Sequence, residues 1–121
     1  MAEHNELGQK GEDLATQYLV KKGYRIVERN WRLHGYEIDI IAEDKEFIVF
    51  VEVKTRSSLQ WGNPEDFVDS TRQKRMVKAA DFYLQMNFID KPARFDIIGA
   101  IWNGLSMELD HIEDAFLAAP M

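Results

Sequence analysis

The stretch Phe47-Ile48-Val49-Phe50-Val51-Glu52-Val53-Lys54 limits the fold more than any other part of the chain. It is apolar at every position before Glu52, so side chains pointing to both faces of a strand need cover. Such a strand belongs in the middle of a sheet, with packing elements above and below. The run is also far too short to cross a bilayer, which takes about 20 apolar residues.

The flanking segments supply that cover. Residues Glu6 to Lys22 read as an amphipathic helix, because Leu7, Leu14, Ala15, Tyr18 and Leu19 recur at helical spacing and Gly23 is a natural stop. Tyr24 to Arg32 and Glu37 to Ala42 read as strands. Glu43-Asp44-Lys45-Glu46 is a short hairpin connection into the third strand, Phe47 to Lys54. Ser57 to Pro64, with Trp61 and Gly62, reads as a loop. Ser70 to Asn87 is a second helix, with Met76, Val77, Ala80, Tyr83 and Leu84 on one stripe and Arg72, Lys74, Arg75 and Lys78 opposite. After Pro92, Arg94 to Trp102 and Leu105 to Ile112 form two strands around the hairpin turn Asn103-Gly104. The predicted order is α-β-β-β-α-β-β, an α/β protein with a mixed central sheet flanked by helices. A chain of 121 residues without repeat or linker fits a single domain over residues 1–121.

Composition removes several chemistries. There is no cysteine, hence no disulfide scaffold, thiolate zinc site or cysteine nucleophile. The acidic, polar start Met1-Ala2-Glu3-His4-Asn5-Glu6 is unlike a secretory signal, and a soluble cytoplasmic protein without membrane contact is expected. The net charge of -6 argues against a nucleic-acid coat protein, since counterion release needs clustered Lys and Arg. It leaves room for a nucleic-acid enzyme, whose metal-binding carboxylates count on the acidic side.

Glu52 and Lys54 share a strand face, being two residues apart. With Asp44-Lys45 as the hairpin tip, Asp39 pairs with Phe50 and joins that face diagonally from Glu52, while Val49, Val51 and Val53 take the other. Two carboxylates held close repel, and one pKa rises unless a cation sits between them. Hard oxygen donors favour Mg²⁺ or Mn²⁺ over zinc. A metal there polarises a phosphoryl oxygen and acidifies water, and Lys54 steadies the developing charge. The alternative is a strand end entering solvent, with Glu52 and Lys54 weakly paired. The apolar company of Glu52, and of Asp39 between Ile38, Ile40 and Ile41, speaks for the functional reading.

Further motifs surround these residues in a recognisable order. They are Gly11-Glu12, Arg29-Asn30-Trp31-Arg32, Glu37-Ile38-Asp39-Ile40-Ile41-Ala42, Val49 to Arg56, Trp61-Gly62-Asn63-Pro64, Gln73-Lys74, Arg94-Phe95-Asp96 and His111 to Phe116. Nearly end to end, the chain resembles the YraN-like family of uncharacterised bacterial proteins. That family belongs to the restriction-endonuclease-like superfamily with the PD-(D/E)xK site, and is similar to archaeal Holliday junction resolvases. The resemblance implies a restriction-endonuclease-like three-layer fold and a nuclease role. Asp39 matches the first metal-binding acid, Glu52 the second, Lys54 the catalytic lysine, and Glu12 the helix acid that some resolvase-like members add. No proline precedes Asp39, although one is common there in the superfamily.

Around this centre, Arg56 is placed to grip a phosphate, and Arg72, Lys74, Arg75 and Lys78 to follow a phosphate backbone. Lys74 and Gln73 are also candidates to approach the metal. Arg94 and Asp96 read as a structural pair, Trp31 and Trp102 as packing, Trp61 as a loop residue to watch, and His4, His34 and His111 as without chemistry. The expectation is a Mg²⁺- or Mn²⁺-dependent endonuclease acting on DNA, with structured substrates implied only by the resolvase resemblance and a homodimer plausible. The rivals are a non-catalytic nucleic-acid-binding module and a protein-interaction subunit of a larger complex.

Overall fold

The computed structural model describes residues 2–57 and 68–116, with side chains from Glu6 onward. The element order is α1 Ala2–Lys21, β1 Arg25–Leu33, β2 Tyr36–Glu43, β3 Ile48–Ser57, α2 Ser70–Met86, β4 Ala93–Trp102 and β5 Met107–Phe116. The loop expected after Ser57, including Trp61, lies outside the described residues. No helix among the described residues is long and apolar enough to cross a membrane.

The five strands form one mixed sheet in the order β1-β2-β3-β4-β5. All neighbours are antiparallel except β3 and β4, which run parallel from Ile48↔Ala93 to Ser57↔Trp102. A parallel pair needs a long crossover, and α2 provides it. The result is a three-layer α/β architecture, compatible with a restriction-endonuclease-like fold. Ile48 and Phe50 of β3 pack with Met76, Ala79, Ala80 and Tyr83 of α2. Val49 and Val51 pack with Ala15 and Leu19 of α1, and Val53 leans on that second core. Both faces of β3 are buried, as its apolar run requires. Each such side chain contributes about 1.5–3 kcal/mol by leaving water.

Two local devices fix the helices. Asp69 caps α2 by accepting the Arg72 backbone N–H at 2.9 Å. On α1, a Cβ at Gly11 would lie 2.3 Å from Thr55 Oγ1 and 3.2 Å from the Ala100 side chain. Only glycine lets the helix backbone approach β3 and β4 so closely, and Glu12 is thereby brought down beside the sheet.

The β2–β3 register differs from the expected one by two residues. Phe50 pairs with Ile41, not Asp39, and Ile40 pairs with Val51. The reason is the turn. Asp44 accepts N–H bonds from Glu46 and Phe47 on its side chain, and its own N–H bonds Phe47 O, so the connection runs Asp44–Phe47. The slip is even and keeps the facing of Ile40 to Glu43. The ladder ends at Ile40↔Val51, and Asp39 meets Glu52 beyond it rather than as a paired residue. The last strand also begins later and ends later than expected. Asn103 Oδ1 accepts from Leu105 and Ser106, extending the turn, and β5 continues past a bulge to Phe116.

Candidate functional site

Alternation along β2 breaks at Asp39. Ile38 and Ile41 belong to the α2-side core, but Ile40 and Ala42 to the α1-side core. The pairing with β3 stops at Ile40↔Val51, and beyond it the Asp39 carboxylate accepts the Val53 backbone N–H at 2.8 Å. A side chain thus binds β3 where the ladder ends. It holds the carboxylate against β3, between Glu52 and Lys54.

Glu52 is almost fully buried. Lys54 Nζ lies 3.7 Å from Glu52 Oε2, and the Arg72 guanidinium grips both oxygens, Nε to Oε2 and Nη2 to Oε1, each at 2.8 Å. Burial first, and the charge of Glu52 second, push the Asp39 carboxyl up to about 8, against the lowering pull of the Val53 N–H. This is the crowding expected of two carboxylates sharing a site. The bond it donates to Glu52 is the largest factor holding the Arg72 guanidinium above its ordinary value.

An open cleft of about 440 Å³ runs past these residues. Gln9 and Glu12 of α1, Asn30 and Arg32 of β1, Asp39 of β2, and Lys54 and Arg56 of β3 line it. Glu12 turns partly aside, with Arg29 Nη2 3.5 Å from its carboxylate and bonded to Asp13 at 2.9 Å. Glu12, Asp39 and Glu52 therefore share a neighbourhood without converging. Among the described residues the only His/Asp/Glu trio offering ligand atoms within 4.8 Å of one another is Asp96, His111 and Glu113. The hard carboxylates of Asp39, which lines the cleft, and of buried Glu52 nevertheless fit a Mg²⁺- or Mn²⁺-type ion by donor chemistry.

The other residues singled out in the sequence divide. Arg56 lines the cleft and donates to Thr55 O at 2.9 Å. Lys74, Arg75 and Lys78 are exposed on α2. Arg75 donates to Gly35 O at 2.9 Å and stacks over Tyr36 at 4.5 Å, tying α2 to the β1–β2 hairpin. Arg72 is not part of that outer face, because it reaches under the helix to Glu52. It, rather than Lys74 or Gln73, is what α2 brings to the centre; Gln73 donates to Val68 O. The signal was present in the spacing, since Arg72, Met76, Ala79 and Tyr83 follow the buried phase of the helix. Arg32 and Asn30 were not assigned a role at the site from sequence. Asn30, at φ 53°, stands in the left-handed region inside β1.

The second cluster is differently occupied. Asp96 is fully buried and receives Arg94 Nε at 2.9 Å and Nη2 at 2.8 Å, with His111 Nε2 at 2.7 Å and the Asp114 N–H at 3.0 Å. Arg94 also lies 3.3 Å from Glu113. The spacing suits an ion, but a guanidinium already sits between these acids. Arg94 and Asp96 are the bonded pair anticipated from sequence. His111, given no role there, completes their network with Tyr18 at 3.0 Å.

Comparison with known proteins agrees with this arrangement of motifs. The family model described as "Uncharacterised protein family UPF0102" matches residues 11–100, from Gly11 through the whole candidate centre. A UPF0102 protein of Flavobacterium psychrophilum is 48% identical over 116 residues, covering 96% of this chain and 98% of its own. One of Bacteroides thetaiotaomicron is 49% identical, covering 96% of each, and one of Parabacteroides distasonis is 48% identical, covering 98% of each. With its matching motifs spread from α1 to β4, the chain belongs to the UPF0102 family, the YraN-like family of its sequence resemblance.

Proposed function

We propose that this protein is a Mg²⁺- or Mn²⁺-dependent endonuclease that hydrolyses DNA phosphodiester bonds at the cleft between α1 and the β2–β3 pair. The observation that carries the reading is the meeting of Asp39 and Glu52 on adjacent strands, with Lys54 3.7 Å from Glu52 and both Asp39 and Lys54 lining the cleft. Asp39 and Glu52 hold the ion, and Glu12 joins from α1. When bound, the ion supplies positive charge to the phosphate and makes a nearby water more acidic. Lys54 places an ammonium beside the reacting phosphate, where it stabilises developing negative charge. Arg56, at the cleft wall, positions a neighbouring phosphate, and Lys74, Arg75 and Lys78 extend the basic contact along α2. A symmetric pair of chains on a branched substrate is part of this proposal; light scattering that finds monomer alone would remove it.

The test is incubation of the purified chain with duplex, nicked and four-way DNA in Mg²⁺ or Mn²⁺. Cleavage is expected, abolished by chelator and reduced by about a hundredfold or more in Glu52→Ala and Lys54→Ala. Cleavage untouched by both substitutions contradicts the assignment. Salt-sensitive DNA binding with no turnover on any substrate supports the binding-module alternative instead.

A further inference from the structure

This inference rests on the metal-centre reading above. Arg72 lies in the first turn of α2, in phase with buried Met76, Ala79 and Tyr83, and its side chain reaches Glu52 on β3. Its two-pronged grip leaves neither Glu52 oxygen unengaged, at 2.8 Å each, and the Glu52 side chain is only 4% exposed. Lys54 adds a second cation beside Oε2. A fork of this kind matches a carboxylate in the orientation in which it also grips a metal. An ion shared by Asp39 and Glu52 takes at least one of those oxygens and brings two further positive charges against a guanidinium. In a buried setting that repulsion is screened far less than at the surface.

We infer that Arg72 competes with the divalent cation for Glu52, holding the carboxylate when no ion is bound and releasing at least one oxygen when an ion arrives. The backbone has no need to move. Asp69 keeps the Arg72 N–H capped at 2.9 Å, so the change is confined to a long side chain. Arg72 is thus a positioning residue, acting on the metal through Glu52. A merely structural ion pair answers differently: it stays closed with the ion bound, and breaking it weakens metal binding or leaves it unchanged.

The experiment is a Mg²⁺ titration of the ¹⁵N-labelled full chain. The side-chain Nε–H signal of Arg72 is assigned through R72K. The Val53 amide, bonded to Asp39, reports independently on the ion. Both signals are expected to move with one midpoint, while the Nε–H of Arg94, held by Asp96, stays in place. Calorimetry with Mn²⁺ is expected to show R72Q binding about tenfold or more tightly than the native chain, with R72K between them. A Val53 amide that moves while the Arg72 signal stays overturns the inference and leaves the metal reading standing; so does R72Q binding Mn²⁺ no better than the native chain. Absence of any movement or heat in all three proteins removes the metal reading itself, and this inference with it. The NMR arm uses the native chain, so it stands even where R72Q fails to fold.

Discussion

The Asp39 carboxylate accepts the backbone N–H of Val53 at 2.8 Å, so an acid from β2 is fastened to β3 between Glu52 and Lys54. The bond prevents Asp39 and Glu52 from relaxing apart. Their crowding is therefore kept in the fold, met by a proton on Asp39 in place of movement, and a bound cation is the alternative means of offsetting it.

That crowding has a pH signature in the metal-free chain. Burial, then the charge of Glu52, raise the Asp39 carboxyl from 3.8 to about 8. Between those values the folded protein keeps a proton that the unfolded chain has lost, so stability falls as pH rises through the window. Asp39→Asn removes the dependence. Urea midpoints measured with chelator present, from about pH 5 to about pH 8, should decline more steeply in the native chain than in the variant. Parallel profiles would contradict the crowding of the two acids.

Asp96 carries the opposite sign. Burial alone would raise its carboxyl, but His111, Arg94 and the Asp114 N–H outweigh that and hold it below its ordinary value. Its contribution is present above the unfolded value and lost as pH falls through the lower folded one. Asp96→Asn leaves Arg94 buried against a neutral group and should cost about 3–5 kcal/mol, with the acid dependence flattened. A loss under about 1 kcal/mol in urea denaturation would mean the network is not a structural keystone.

Gly11 offers a packing test of how α1 sits on the sheet. An added Cβ meets Thr55 Oγ1 at 2.3 Å, a clash worth about 1–3 kcal/mol against the gain of about 1 kcal/mol that alanine brings to a helix. Gly11→Ala should destabilise the native chain yet be close to neutral in a Thr55→Ala background, where the clashing oxygen is gone. A double-mutant cycle of thermal or urea stabilities measures the coupling. Strict additivity would show that α1 does not press on β3 there.

Much of this arrangement was legible in residue order. The apolar run before Glu52 required a covered central strand, and the i, i+2 spacing of Glu52 and Lys54 required a shared face. The register slipped by two because Asp44 folds its own side chain back onto the N–H groups of Glu46 and Phe47, which moves the two-residue tip by one position, from Asp44-Lys45 to Lys45-Glu46. The one relationship that mattered, Asp39 beside Glu52, survives because the Asp39 carboxylate is bonded to the Val53 N–H past the end of the ladder. The extension of β5 was hidden because Glu113 and Asp114 are poor strand formers; their place in the strand depends on the buried Asp96 that accepts the Asp114 N–H. Arg72 was grouped with the outer basic face by its charge, although its helical phase pointed inward.

The outer face makes its own prediction under the proposed function. Lys74 and Lys78 are exposed, so replacing each with alanine should weaken DNA binding evenly across sequences and lower the slope of log K against log salt by about 1 per residue. Filter-binding or anisotropy titrations over a salt series check this. An unchanged slope in the double variant would place the DNA elsewhere.

The most direct measurement is an anomalous difference map from crystals of the chain soaked in Mn²⁺. A peak between the carboxylates of Asp39 and Glu52, with the Arg72 guanidinium withdrawn from at least one Glu52 oxygen, is the predicted result. A peak among Asp96, His111 and Glu113 instead, with nothing at Asp39 and Glu52, would contradict the account.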